Sequence, residues 1–222
     1  MALSIISLSI IFDAMERGNG AVAVKDHSLD EKIIRSAREI FLSQGFQAAS
    51  IHKIAENAGV TTGALYTRYK SKDDLFCSLL RDPVEELCRQ EARIAELYYR
   101  VKSLKDLDLF LDALEQETRL YLDVIFQYYD QCVLLFCKSA GSTAEKNLKQ
   151  GTEYKVKTTV EYLRRLSGKD LTGMEILIRQ QSNLVKLILE SSCSREEALK
   201  AMGLMLDFNK AGWKHLLEEN MQ

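Results

Sequence analysis

The stretch from residue 50 to residue 72, SIHKIAENAGVTTGALYTRYKSK, concentrates the side chains with the most chemistry to offer. Thr61, Thr62, Tyr66 and Thr67 carry hydroxyls that both donate and accept hydrogen bonds, and Gly63 and Ala64 between them are small enough to allow close approach. Lys53, Arg68, Lys70 and Lys72 place cations around them. Ser50 is a good helix N-cap type, and the first N–H groups of a helix can bind a phosphate. Short hydrogen-bonding groups on one face with cations at the rim suit a double helix. The cations and the Ser50 end would hold phosphates, while Thr62, Tyr66 and Thr67 would reach base edges.

Other chemistries find little support. His27, His52 and His215 are widely separated, and no H-E-x-x-H, C-x-x-C, G-x-S-x-G, Walker or G-x-G-x-x-G pattern occurs. The expectation is therefore no enzyme activity, no catalytic residues, no cofactor and no metal. The five cysteines, Cys77, Cys88, Cys132, Cys137 and Cys193, form no paired framework. They fit a reducing compartment and small buried roles.

One proline and 11 glycines in 222 residues are too few to turn a β-sandwich or barrel, so the expected class is all-α. The overall net charge is −2, but residues 32–72 carry seven basic and two acidic side chains, a local charge of +5 in an otherwise acidic chain. The opening MALSIISLSIIF is shorter than the roughly 20 residues that span a bilayer, and no Lys or Arg precedes Arg17 as a secretory signal requires. Residues 1–27 read as an N-terminal tail, with translation from Met15 as an alternative start. No membrane partner is expected.

The apolar spacing sets out about nine helices. Ile33, Ile34, Ala37, Ile40 and Phe41 form one face of a first helix that Gly45 stops. Ser50 caps a second, with Ile51, Ile54, Ala55 and Ala58 inward and Gly59 at its end; Thr61 or Thr62 caps a short third helix held inward by Leu65. Ser71, followed by Asp73 and Asp74, starts a fourth helix running to about residue 101, with a kink or break at Arg81–Asp82 forced by Pro83. Two helices meeting near Phe126–Tyr129 fill 104–138, the SAGSTAEK stretch is a loop, and helices over 147–166, about 171–190 and 194–219 complete the chain.

Helix, glycine turn, helix over residues 50–69 is the helix-turn-helix plan. With A-x-x-I-F at 37–41, G-F at 45–46, S-I-x-x-I-A-x-x-A-G-V at 50–60, G-A-L-Y at 63–66 and K-S-K-D-D-L at 70–75, the segment resembles the N-terminal domain of the TetR family of bacterial transcriptional regulators. The resemblance covers about 48 residues strongly. It implies that the helix near 61–69 reads DNA and that Ser50, Thr61, Thr62, Tyr66, Thr67 and Lys72 stand at DNA-touching positions. Lys53, Gly63 and Arg68 complete our expected interface. Thr62 departs from the Lys or Arg of many members, and Arg68 from a frequent aromatic, whose place Tyr69 takes one residue later.

These readings combine into a 28–75 DNA-binding domain and a 76–222 helical domain for effector binding and dimerisation. The partners expected are double-stranded DNA with a palindromic operator, a second copy of the chain, and a partly apolar small molecule. The expected setting is the bacterial cytoplasm, and repression is the expected sign of control. The broad apolar stripes of the last helices nominate Met174, Ile178, Val185, Met202, Met205 and Trp213 for the homodimer interface. The aromatic cluster between 98 and 136 nominates Tyr121, Phe126, Tyr129 and Phe136 for an effector pocket. The resemblance further implies that the proline-kinked helix couples pocket to DNA. The competing reading is a helical ligand-binding or protein-interaction module without operator binding.

Overall fold

The computed structural model describes residues 27–168 and 172–218, so the N-terminal tail and the choice between Met1 and Met15 lie outside the described residues. Within them the chain forms eleven α-helices and one 3-10 turn, with no strand. Helix α1 (His27–Ala48) buries Ile33, Ala37, Ile40 and Phe41, the predicted face. Gly45, at φ 75° and ψ 166°, ends its regular part. Such a conformation belongs almost wholly to glycine, and it turns the chain so that Phe46 enters the core.

Helices α2 (Ile51–Asn57) and α3 (Thr62–Arg68) follow, separated by a turn through Gly59 at φ 67°. The Thr61 hydroxyl accepts from the Ala64 amide at 3.1 Å, and Ser71 accepts from Asp74 at 3.0 Å to open α4 (Lys72–Leu79). Both caps satisfy amides that the helix cannot pair. Helix α5 (Arg81–Arg100) begins after Leu80. The expected single helix from 72 is thus two, because a proline at 83 collides with the carbonyl four residues back. In the new helix Pro83 occupies the first turn, where its missing N–H costs nothing.

After a 3-10 turn at Leu104–Asp106 come α6 (Leu107–Gln127) and α7 (Tyr129–Cys137), divided at Tyr128 as the sequence predicts. Helix α8 (Thr143–Ser167) is capped by Ser142 and closed by left-handed Gly168. The C-terminal helices are α9 (Met174–Ser182), α10 (Leu184–Ser191) and α11 (Arg195–Glu218). The break at Asn183 and the one at Leu80 account for the count above the expected nine.

One apolar core runs through α1–α4 and on into Val124 of α6, Leu134 and Leu135 of α7 and Ala144 of α8. Two others fill the C-terminal part, one around Tyr98, Phe110 and Trp213 and one around Leu122, Cys132 and Ile188. Phe41 and Phe76, both fully buried, meet edge to face at 4.9 Å in the first core. Phe76→Ala is expected to cost about 3–5 kcal/mol, read as a shift in the denaturant midpoint of the helical circular-dichroism signal. A loss below 1 kcal/mol would contradict this packing.

Candidate nucleic-acid interface and ligand cavity

Helix α3 attaches to the bundle through Leu65, its one fully buried side chain. This leaves Gly63, Tyr66 and Thr67 exposed, with Tyr66 49% accessible, and Thr61 exposed at the cap. Thr62 is half-buried. Its hydroxyl lies 3.3 Å from Nδ1 of His52 on α2, so the histidine holds it in place. The Thr67 hydroxyl donates to the Gly63 carbonyl at 2.9 Å. Ser50 stands at the α2 N-terminus in extended conformation, its side chain making no capping bond, and Lys53 is exposed beside it. Ser50, Lys53, Thr61, Thr62, Gly63, Tyr66 and Thr67 thus belong to α2, α3 and the turn between them.

The two remaining cations have other occupations. Arg68 Nε donates to Asp30 Oδ1 of α1 at 2.6 Å, with both side chains largely shielded. That pair fixes the end of α3 to the start of α1, which accounts for arginine in place of the expected aromatic. Burial and then the Asp30 carboxylate raise the Tyr69 hydroxyl above its ordinary value, against the Ser78 hydrogen bond. Lys72 Nζ donates to the Gln47 and Ala49 carbonyls at 3.2 and 3.1 Å and lies 4.6 Å from the Phe46 ring centre. It braces the chain entering Ser50. Arg68 and Lys72, both nominated for the DNA interface, are thus bonded within the domain, Arg68 to α1 and Lys72 to the chain just before Ser50.

Contacts that sequence reading missed tie this unit together. Ser36, buried in α1, donates to the Ile54 carbonyl at 2.7 Å, and the Asn57 amide donates to Ser36 and Glu39 at 3.2 and 3.1 Å. Two more reach the C-terminal helices. The Phe46 amide donates to the Lys138 carbonyl at 2.8 Å, and the Thr143 amide to Asp73 Oδ1 at 2.8 Å. Nothing in residue spacing signals pairs so distant along the chain.

The C-terminal helices surround a cavity of about 180 Å³. Of the four aromatics expected there, Tyr121 and Phe136 line it. Phe126 and Tyr129 do not. Their rings stack at 6.1 Å, and the Tyr129 hydroxyl donates to the Leu189 carbonyl at 3.4 Å. The cavity stripe on α6 runs through Leu114, Thr118, Tyr121, Leu122 and Ile125; Phe126 falls just outside it, beyond the edge that Leu122 marks.

Most of the residues nominated for a dimer interface face inward in the single chain. Ile178, Val185, Met202 and Trp213 line the cavity, Met174 is buried, and Met205 is partly buried. The apolar side chains left to solvent on α9–α11 are others, chiefly Ile176, Leu187, Leu204 and Phe208 at 59–77% exposure. Burial, helped by nearby acidic groups, lifts the Cys77 thiol to about 12, and burial lifts Cys132 to about 12.

Residues 33–79 match the sequence profile of the bacterial regulatory proteins, tetR family. The chain is 39% identical over 66 residues to the HTH-type transcriptional repressor BepR of Brucella suis, 28% of this chain and 32% of that protein. It is 30% identical over 128 residues to the HTH-type transcriptional regulator AcrR of Shigella flexneri, 53% of this chain and 56% of that one. The matched region therefore spans about a third to about half of these relatives. Two solved structures share the fold at 15% identity. They are a TetR-like transcriptional regulator from Rhodococcus sp. RHA1 (TM-score 0.57, covering 89% of this chain and all of that one) and the ketosteroid transcriptional regulator KstR2 of Mycobacterium tuberculosis (0.56, 85% and 97%). The similarity to the TetR family thus lies in residues 33–79, the segment that holds α2 and α3.

The Asp30–Arg68 pair carries a prediction about this domain. In a double-mutant cycle, Asp30→Asn and Arg68→Gln should show a coupling of about 1 kcal/mol in unfolding free energy. Independent, additive losses would mean that the bridge does not anchor α3.

Proposed function

We propose that this chain is a TetR-type, sequence-specific DNA-binding transcriptional regulator that acts as a homodimer and releases its operator when a small molecule fills the C-terminal cavity. The observation that carries the reading is the outward face of α3: Gly63, Tyr66 and Thr67 stand exposed on a helix seated by Leu65. Its short, hydrogen-bonding surface suits the major groove. Lys53 and the α2 N-terminus at Ser50 supply the phosphate-facing side.

A single recognition unit of this size buries about 600–1,000 Å² and binds modestly, so two copies on a near-palindromic site follow. The exposed apolar residues of α9–α11 support self-association through those helices. The similarity to the transcriptional repressor BepR favours repression. No helix among the described residues is long and apolar enough to cross a membrane. A cytoplasmic setting is consistent with that reading.

Support for coupling lies at one end of α7. Phe136 lines the cavity, and Lys138, two residues later, holds the Phe46 amide through its carbonyl. A ligand that moves the last turn of α7 acts on the seat of the DNA-binding domain.

Selection of bound fragments from random duplex DNA should return a palindrome. Failure to enrich any sequence at low ionic strength would remove the reading. On the selected operator, Tyr66→Ala should weaken binding by about 1–3 kcal/mol. Lys53→Ala should lower the slope of log affinity against log salt by about 1 for each protomer's contact, across sequences. Thr62→Ala should change base preference more than total affinity. In sedimentation, Phe208→Arg should shift the protein toward monomer with its helical signal intact; an unchanged dimer would place self-association elsewhere.

A further inference from the structure

Among the described residues, one carboxylate and one ammonium line the cavity, and they neutralise each other. Glu117 of α6 is 5% exposed. One of its oxygens accepts from Lys155 Nζ of α8 at 2.6 Å, and the other accepts from the Tyr98 hydroxyl at 2.7 Å. The Lys155 ammonium also lies 5.4 Å from the Tyr121 ring centre. The Tyr121 hydroxyl donates at 2.6 Å to Glu91 of α5, a buried carboxylate outside the main lining. The rest of the wall is apolar or hydroxyl-bearing.

The hydroxyls of the lining are not all occupied in this way. Thr118 donates to the Leu114 carbonyl at 2.8 Å and Thr152 to the Leu148 carbonyl at 2.9 Å. Thr159 differs. It stands one turn after Lys155 on the same face of α8 and lines the cavity beside it. The carbonyl four residues back, a threonine's usual acceptor in a helix, is that of Lys155, which already takes the Thr158 hydroxyl at 3.1 Å. The Thr159 hydroxyl has no hydrogen-bond partner among the described residues, and neither has the Trp213 indole N–H. The lining is thus balanced in charge but holds hydrogen-bonding groups that no side chain or carbonyl meets.

We propose that the cavity takes an uncharged, largely hydrocarbon ligand with one hydroxyl or carbonyl oxygen, which hydrogen-bonds to Thr159. The assignment rests on the reading of this cavity as the effector site. An ion of either sign would bring net charge into a balanced lining, where unpaired charge is costly. A cation finds both Glu117 oxygens taken, and an anion finds Lys155 held by Glu117. The volume, about 180 Å³, exceeds the ~150 Å³ of an apolar cavity that admits benzene, so one ring or a short branched chain fits.

Trp213 is the single tryptophan and lines the cavity, so it reports occupancy directly. The full chain is titrated at neutral pH with four probes on one ring: benzyl alcohol, toluene, benzylammonium and benzoate. The alcohol is expected to bind about tenfold or more tightly than either ion. Thr159→Val, which keeps the shape and removes the hydroxyl, should weaken the alcohol about fivefold and leave toluene unchanged. Thr159→Ser should restore the alcohol. The wild-type order of alcohol and ions tests the ligand class without any variant. An ion that binds as well as the alcohol overturns the assignment and leaves the cavity as a ligand site. Equal losses of alcohol and toluene in Thr159→Val overturn the hydrogen bond to Thr159. No saturable change in Trp213 fluorescence with any probe overturns both the ligand class and the effector reading. Alcohol binding without operator release upholds the ligand class and removes the effector role.

Discussion

The N-terminal domain depends on how α1 ends. Gly45 takes a backbone conformation closed to other residues, and the turn drops Phe46 into the core. The Phe46 ring then stacks with Phe41 at 6.1 Å, meets Phe76 at 5.1 Å and receives Lys72 on its face. Lys72 in turn holds the carbonyls of Gln47 and Ala49 just before Ser50. The direction in which α2 sets out, and with it the pose of α3, follows from this one corner. The same Phe46 amide bonds to Lys138, so the corner is also where the C-terminal helices take hold.

Much of this domain was legible because its signals are local. Glycines at 45 and 59 end helices through positive φ, and Thr61 and Ser71 cap helices within three residues of their partners. Leu65 was legible for a similar reason, as the single strongly apolar residue in a polar stretch, with one way to face. What failed was long-range. Arg68 finds Asp30 38 residues away, and Thr143 finds Asp73 70 residues away. A cation in a basic segment looks the same in sequence whether it faces solvent or a carboxylate.

The C-terminal helices were misjudged for a different reason. An amphipathic stripe tells which face turns inward only when it is narrow. Helices α9–α11 carry apolar residues over most of their circumference. Leu204 and Phe208 are exposed on the same helix on which Met202, Leu206 and Trp213 are buried. Spacing alone therefore does not tell which of these apolar residues turn inward and which stay on the surface. Glu91, Glu117 and Lys155 escaped notice by the opposite route: each sits amid a charged, ordinary-looking helix surface, and only the crossing of α5, α6 and α8 buries them together.

That buried cluster and the Phe46 corner belong to one mechanical path. The first apolar core continues from α1–α4 into Val124 and Leu134, and α6 and α7 also line the cavity with Ile125 and Phe136. A densely packed core transmits displacement instead of absorbing it. The carboxylates and Lys155 hold the far side of the cavity through charge-assisted bonds on α6 and α8. On the α7 side Phe136 meets the cavity through apolar packing, and the Lys138 carbonyl just past α7 seats the Phe46 amide. On the proposed reading, a ligand that displaces this wall would act on the turn from which α2 and α3 set out.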